Sequence, residues 1–91
     1  KMDKHLVKRG GHVHLFDERK VYASCYAACL SAHVPHIEAE KICKNVCRDI
    51  KKWVKPKKAV TTEQIFKETG KSIKKYNKDA AFMYSTHRDI A

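Results

Sequence analysis

Four cysteines, set in two pairs one helical turn apart as Cys25-x3-Cys29 and Cys43-x3-Cys47, constrain this chain more than any other feature. Tyr22, Cys25, Tyr26, Cys29 and Leu30 recur at spacings of three and four, which puts the first pair on one apolar stripe of a helix. Ala39, Cys43, Val46, Cys47, Ile50, Trp53 and Val54 do the same for the second pair. The connection between the two helices is too short for anything but an antiparallel hairpin. Parallel pairing would need the helices to run the same way, and a bridge within one helix is geometrically poor. The expected bridges are therefore Cys25 with Cys47 and Cys29 with Cys43, each stabilising the fold by about 2–4 kcal/mol. A zinc ion held by all four thiolates is the rival reading, but structural zinc sites usually begin from C-x2-C knuckles rather than from helices. Nor does an even count of cysteines on an apolar stripe mark a redox or nucleophilic thiol.

The helix boundaries carry their own signals. Asp17 is an N-cap with Glu18 in the first turn, opening a helix that runs to about Ala32. Ser31 to Pro35 reads as a tight turn, because the residue before a proline leaves helical geometry while proline itself suits a first turn. The second helix starts there and stops at Pro56. Its charges oppose the dipole correctly, with Glu38 and Glu40 early and Arg48, Lys51 and Lys52 late. Lys55 to Val60 is a basic connector, and Thr61 with Gln64 forms the capping-box pattern of a third helical region. Its stripe is Ile65, Thr69, Ile73, Tyr76, Ala80 and Met83, interrupted by Gly70, which predicts a kink or two short helices.

Residues 1–16 combine Lys1, Lys4, Lys8 and Arg9 with Gly10-Gly11 and an alternating His12-Val13-His14-Leu15. This pattern suits a small hairpin. An isolated two-stranded ribbon is marginal in water, however, so a mobile arm is the preferred expectation. The predicted organisation is an arm over 1–16, one helical domain over 17–84 and a tail over 85–91. The fold class expected is all-α: a disulfide-pinned antiparallel helical hairpin with a third, kinked helix. That helix would pack through Ile65, Ile73, Tyr76 and one of Phe66, Phe82 or Met83, with Trp53 at the junction.

A chain of 91 residues holds one small domain, which buries a smaller fraction of its surface than a larger one, so supplementary links are expected. Cysteine bridges in so short a chain point to an oxidising compartment. The opening at Lys1 fits a mature chain from which a signal or pro-segment has been removed, so secretion to the extracellular space is the expected localisation. The longest apolar run is Cys25 to Leu30, far short of a membrane span.

Twenty Lys plus Arg stand against ten Asp plus Glu, a formal charge of +10. The excess gathers in two places: Arg48, Lys51, Lys52, Lys55, Lys57 and Lys58, and then Lys71, Lys74, Lys75 and Lys78 on the third helix opposite Ile73 and Tyr76. A solvated face is the ordinary meaning of such residues. The functional meaning is attraction to an acidic protein surface, a sulfated glycan or nucleic acid, weakening with salt. Sixteen of the twenty basic residues are Lys, which suits diffuse attraction better than the bidentate base contacts that Arg makes, so sequence-specific nucleic-acid binding is disfavoured. Catalysis is not expected. Ser24, Ser31, Ser72 and Ser85 have no His and carboxylate placed beside them by any motif, and no Gly-rich phosphate loop occurs. The pairs His12/His14 and His33/His36 have no spacing that makes them a metal site, and no cofactor is called for.

The twin C-x3-C pattern, over about residues 22–53, resembles the small Tim chaperones of the mitochondrial intermembrane space. The resemblance implies the same nested pairing and a hexameric ring that shields hydrophobic precursors, and the chain departs from it at Gly10-Gly11, Pro56 and Gly70. In size, charge and cysteine content the chain also resembles the small anti-complement salivary proteins of sand flies. This second resemblance implies a protein that binds and blocks a host protease cascade, complement before clotting, and a monomer is the expected state. Plant helical-hairpin antimicrobials share the cysteine arrangement as well. The leading expectation is a secreted, non-enzymatic inhibitor acting through its basic surfaces, with a Tim-like chaperone and an antimicrobial or toxin hairpin as alternatives.

Overall fold

A computed structural model describes residues 5–90, apart from the side chains of 88–90. Lys1 and Lys4 of the expected arm and Ala91 of the expected tail lie outside these residues. The described chain forms β1 (Leu6–Arg9), β2 (His12–Leu15), α1 (Glu18–Ser31), α2 (His36–Val54), β3 (Ala59–Thr61), α3 (Thr62–Tyr76) and α4 (Lys78–Ile90).

The helix ends follow local chemistry. Arg19 donates its backbone N–H to the Asp17 carboxylate, so Asp17 caps α1 as its sequence position implies. At the other end Val34 N–H reaches the Cys29 carbonyl and His33 N–H the Leu30 carbonyl, the two bonds of a Schellman turn, with His33 at φ 62°. Val34 is buried behind this turn and fixes how the chain enters α2. The capping box at α3 is complete: Gln64 N–H donates to Thr61 Oγ1 at 3.0 Å, and Thr61 N–H donates to Gln64 Oε1 at 2.9 Å.

The third helical region divides at Asn77 rather than at Gly70. Asn77 has extended backbone (φ −161°, ψ 114°), and its side chain accepts the Ala80 N–H at 2.8 Å. One residue thus ends α3 and caps α4. Gly70 remains helical, where a Cβ would stand 3.9 Å from the Tyr84 ring. Tyr84 itself stacks on Phe66 with ring centroids 4.9 Å apart. Phe82, a candidate for the core, is instead 68% exposed.

The all-α expectation is overturned by a three-stranded mixed sheet in the order β2-β1-β3. β1 and β2 form an antiparallel hairpin with Leu6 opposite Leu15 and Arg9 opposite His12, closed by Gly10 at φ +50°. β3 adds to β1 in parallel, with Val7 opposite Val60. Both valines are buried. The hairpin is therefore not the marginal isolated ribbon that the arm reading assumed. It is tied down by β3, by Leu6 N–H donating to the Lys58 carbonyl at 3.0 Å, and by His5 Nδ1 against the Lys57 carbonyl at 2.7 Å.

The core lies among the helices, where α1 and α3 each pack on both α2 and α4. Val21, Ile42, Val46, Ile50, Val54 and Ile73 fill it, together with the cysteines.

The expected disulfides are absent: Cys25, Cys29, Cys43 and Cys47 are free, buried thiols. The hairpin is antiparallel as expected, but its stagger differs from the one that the pairing requires. Cys43 comes opposite both thiols of α1, so that the sulfurs of Cys25, Cys29 and Cys43 all lie within 4.8 Å of one another. Cys47 falls a turn further along, beside the start of α1, and directs its S–H to the Glu18 carbonyl at 3.7 Å. The pins of the hairpin are thus packed side chains rather than covalent bonds.

Candidate partner-binding surface

The outward face of α2 follows from the helical period. Its inward positions are Ala39, Ile42, Cys43, Val46, Cys47, Ile50 and Val54, so Lys41, Lys44, Arg48, Lys51, Lys52 and Lys55 are all left exposed. The stripe begins earlier than the linear run from Arg48 suggested. Lys41 and Lys44 belong to it by spacings of three and four from Arg48 and were legible on that ground.

Two shallow grooves flank this ridge. Between α1 and α2, Arg19, Lys44, Arg48 and Lys51 line one of them together with Glu18 and Tyr22. Between α2 and α3, Lys52 stands across from Lys71 and Lys75 over a floor that includes Asp49, Ser72 and Trp53. The fold therefore brings part of the second basic cluster onto the first. Lys74 is exposed on α3 but is not among the lining of this groove, and Lys78 is the first residue of α4 rather than part of α3. Tyr76, expected to face away from the lysines, lies half-buried with the Lys75 ammonium 5.6 Å over its ring.

The basic residues differ in how far they are committed to the fold. Lys51 pairs with Glu18 at 3.1 Å, Lys71 with Glu68 at 3.3 Å and Lys75 with Asp49 at 2.9 Å. Lys57 donates to the Trp53 carbonyl at 2.9 Å and lies 4.6 Å over the indole, a cation–π contact. Among the described residues, Arg48, Lys52, Lys55, Lys58, Lys74 and Lys78 of the expected clusters have no carboxylate partner, nor do Lys41 and Lys44 on the same face of α2, and these cations are available to a ligand.

Asp49 organises the α2–α3 groove. Its Oδ2 accepts from Ser72 Oγ at 2.8 Å and from Tyr76 OH at 3.0 Å, besides the Lys75 ammonium. Burial alone would raise this carboxyl, but Lys75, Ser72 and Tyr76 together outweigh it and hold Asp49 below the usual aspartate value. The ionised carboxylate thus fixes the α2–α3 spacing on which the position of Lys52 relative to Lys71 depends.

The thiols titrate according to their contacts. Cys25 is driven far up, first by donating its S–H to Cys43 and then by burial. Cys43 is pulled below the ordinary thiol value by accepting from Cys25 and Cys29. Burial pushes Cys29 and Cys47 each up to about 11. The histidines do not gather with one another: His36 contacts the Tyr26 hydroxyl and pairs with Glu40 at 3.2 Å, whereas His12 and His14 lie exposed on β2.

No helix among the described residues is long and apolar enough to cross a membrane. Comparison with protein-family models, with curated proteins and with solved structures returns no match for the chain.

Proposed function

We propose that the chain is a non-enzymatic binding protein that engages an acidic protein surface through the outer face of α2 and the groove that α2 forms with α3. The observation that carries this reading is the meeting of Lys52 with Lys71 and Lys75 across that groove, continuous with unpaired Arg48 and Lys55 on the ridge. Fixed cations on two rigid helices present one charged face, which accelerates encounter with an acidic partner and selects against basic ones. Extracellular action as an inhibitor of a protease cascade, complement before clotting, is the specific form proposed. With the thiols free, that form is supported by charge and size and no longer by bridged cysteines.

The test uses complement-mediated lysis and plasma clotting, each measured over a series of salt concentrations, with wild type and a variant in which Arg48, Lys52, Lys55 and Lys58 are all replaced by Glu. Inhibition by wild type that weakens with salt and is lost in the variant supports the reading. Equal inhibition by both proteins removes this face from the mechanism, and no inhibition by wild type at low salt removes the cascade.

A further inference from the structure

The cysteine cluster has a geometry that the basic surface does not use. We propose that Cys25, Cys29 and Cys43 form a buried, three-coordinate binding site for copper(I). Their sulfurs all lie within 4.8 Å of one another, so an ion at the centre of the triangle stands about 2.8 Å or less from each. Inward shifts of about 0.5 Å per sulfur reach a metal–thiolate bond of about 2.3 Å, a movement within the range of small side-chain rotations.

Ligand type and ligand number together select the ion. Thiolates are soft donors and favour copper(I) or zinc over the hard divalent cations. Structural zinc sites are closed by a fourth ligand. Here the fourth cysteine, Cys47, is turned to the Glu18 carbonyl. Cys25, Cys29 and Cys43 have no solvent-accessible surface, so water does not complete the shell either. Three sulfurs in an enclosed apolar setting suit copper(I), a closed-shell ion that accepts three thiolates in a plane. Ala39 and Val46, both fully buried, belong to the same apolar cluster as the three thiols. Binding is an exchange without redox change: each sulfur that ligates gives a lone pair to the ion, and its proton leaves to solvent.

The experiment titrates the full, reduced chain anaerobically with tetrakis(acetonitrile)copper(I) against the copper(I) chelator bicinchoninate. Native mass spectrometry reads the stoichiometry, and copper X-ray absorption reads the ligand shell. The expected result is one copper per chain, retained against the chelator, with three sulfurs at about 2.3 Å. Cys43→Ser should lose the ion and Cys47→Ser should keep it. The absorption spectrum of the wild type needs no variant, so the test stands even if Cys43→Ser fails to fold. Loss of all copper to bicinchoninate, loss of the ion in Cys47→Ser, or a shell containing oxygen or a fourth sulfur overturns the site. So does preferential retention of zinc in a mixed titration.

Discussion

Replacing Asp49 by Ala should be the most damaging single change among the polar groups at the α2–α3 contact. One carboxylate oxygen receives Ser72 at 2.8 Å, Tyr76 at 3.0 Å and Lys75 at 2.9 Å. Ser72 retains only 4% exposure, so its hydroxyl loses its partner in a place that water barely reaches. A buried hydroxyl left unsatisfied costs about 1–3 kcal/mol, and a hydrogen bond to an ionised group is worth about 1.5–3 kcal/mol. Tyr76 is half-buried and recovers part of its loss by turning to water, and the exposed Lys75 ammonium rehydrates. The expected destabilisation is therefore about 3 kcal/mol, which for a domain of this size lowers Tm by about 12–24 °C. Urea unfolding followed by far-ultraviolet circular dichroism measures it, with an unchanged slope confirming that the same surface unfolds. Adding Ser72→Ala should recover about 1–2 kcal/mol, because the orphaned hydroxyl is removed with its partner. The pH dependence has a definite sign. Asp49 ionises below its unfolded value of about 3.9, so its contribution is complete above that pH and disappears as the pH falls through the lower folded value. Asp49→Asn keeps an acceptor for Ser72 but should lose this acid-dependent component. A loss under about 0.5 kcal/mol in Asp49→Ala, within the range of an ordinary surface substitution, would refute the account of the groove given above.

Two further substitutions test other parts of the fold. Thr69 is fully buried, and its Oγ1 has no hydrogen-bond partner among the described residues. Thr69→Val should therefore raise stability by about 0.5–1 kcal/mol in the same urea assay. Gly10 holds φ +50° at the tip of the β1–β2 hairpin with open space where a Cβ would stand. Gly10→Ala should cost about 1 kcal/mol through backbone strain alone, and Gly10→Asn distinctly less, read as a shift in Tm.

The features visible in the sequence are those decided within a few residues. Asp17, the Thr61–Gln64 box and the two prolines act on neighbouring backbone groups: α1 and α3 begin beside the first two, and α2 begins after Pro35 and ends before Pro56. β3 is different in kind. It is three residues at the end of a lysine-rich connector, and it is held extended by pairing with Leu6, Val7 and Lys8, more than fifty positions earlier in the chain. No local periodicity carries that information. The break in the third helical region was misplaced for a related reason. Gly70 has the lower helix propensity, but Tyr84 of α4 packs against the space that it leaves, while Asn77 satisfies the backbone of the following helix. The cysteines were correctly placed on facing stripes. The stagger of α2 against α1, which decides what each sulfur meets, depends on the Schellman turn at His33 and on the burial of Val34.

The division of α2 into two faces also determines which substitutions can report on binding. Its inward face carries Cys43, Cys47, Ile50 and Val54, all buried, and any change there alters the core before it alters the surface. On the outward face, Lys51 is tied to Glu18, and Lys75 across the groove is tied to Asp49. Changing either one disturbs the packing of α1 or α3 together with the charge. Arg48, Lys52 and Lys55 are exposed and have no carboxylate partner among the described residues. Their replacement should leave unfolding within about 0.5 kcal/mol of wild type per site. A loss of partner binding in such variants, with the urea midpoint held, therefore belongs to the charged face itself. The same loss in a Lys75 variant would not distinguish the face from the Asp49 contact that positions it.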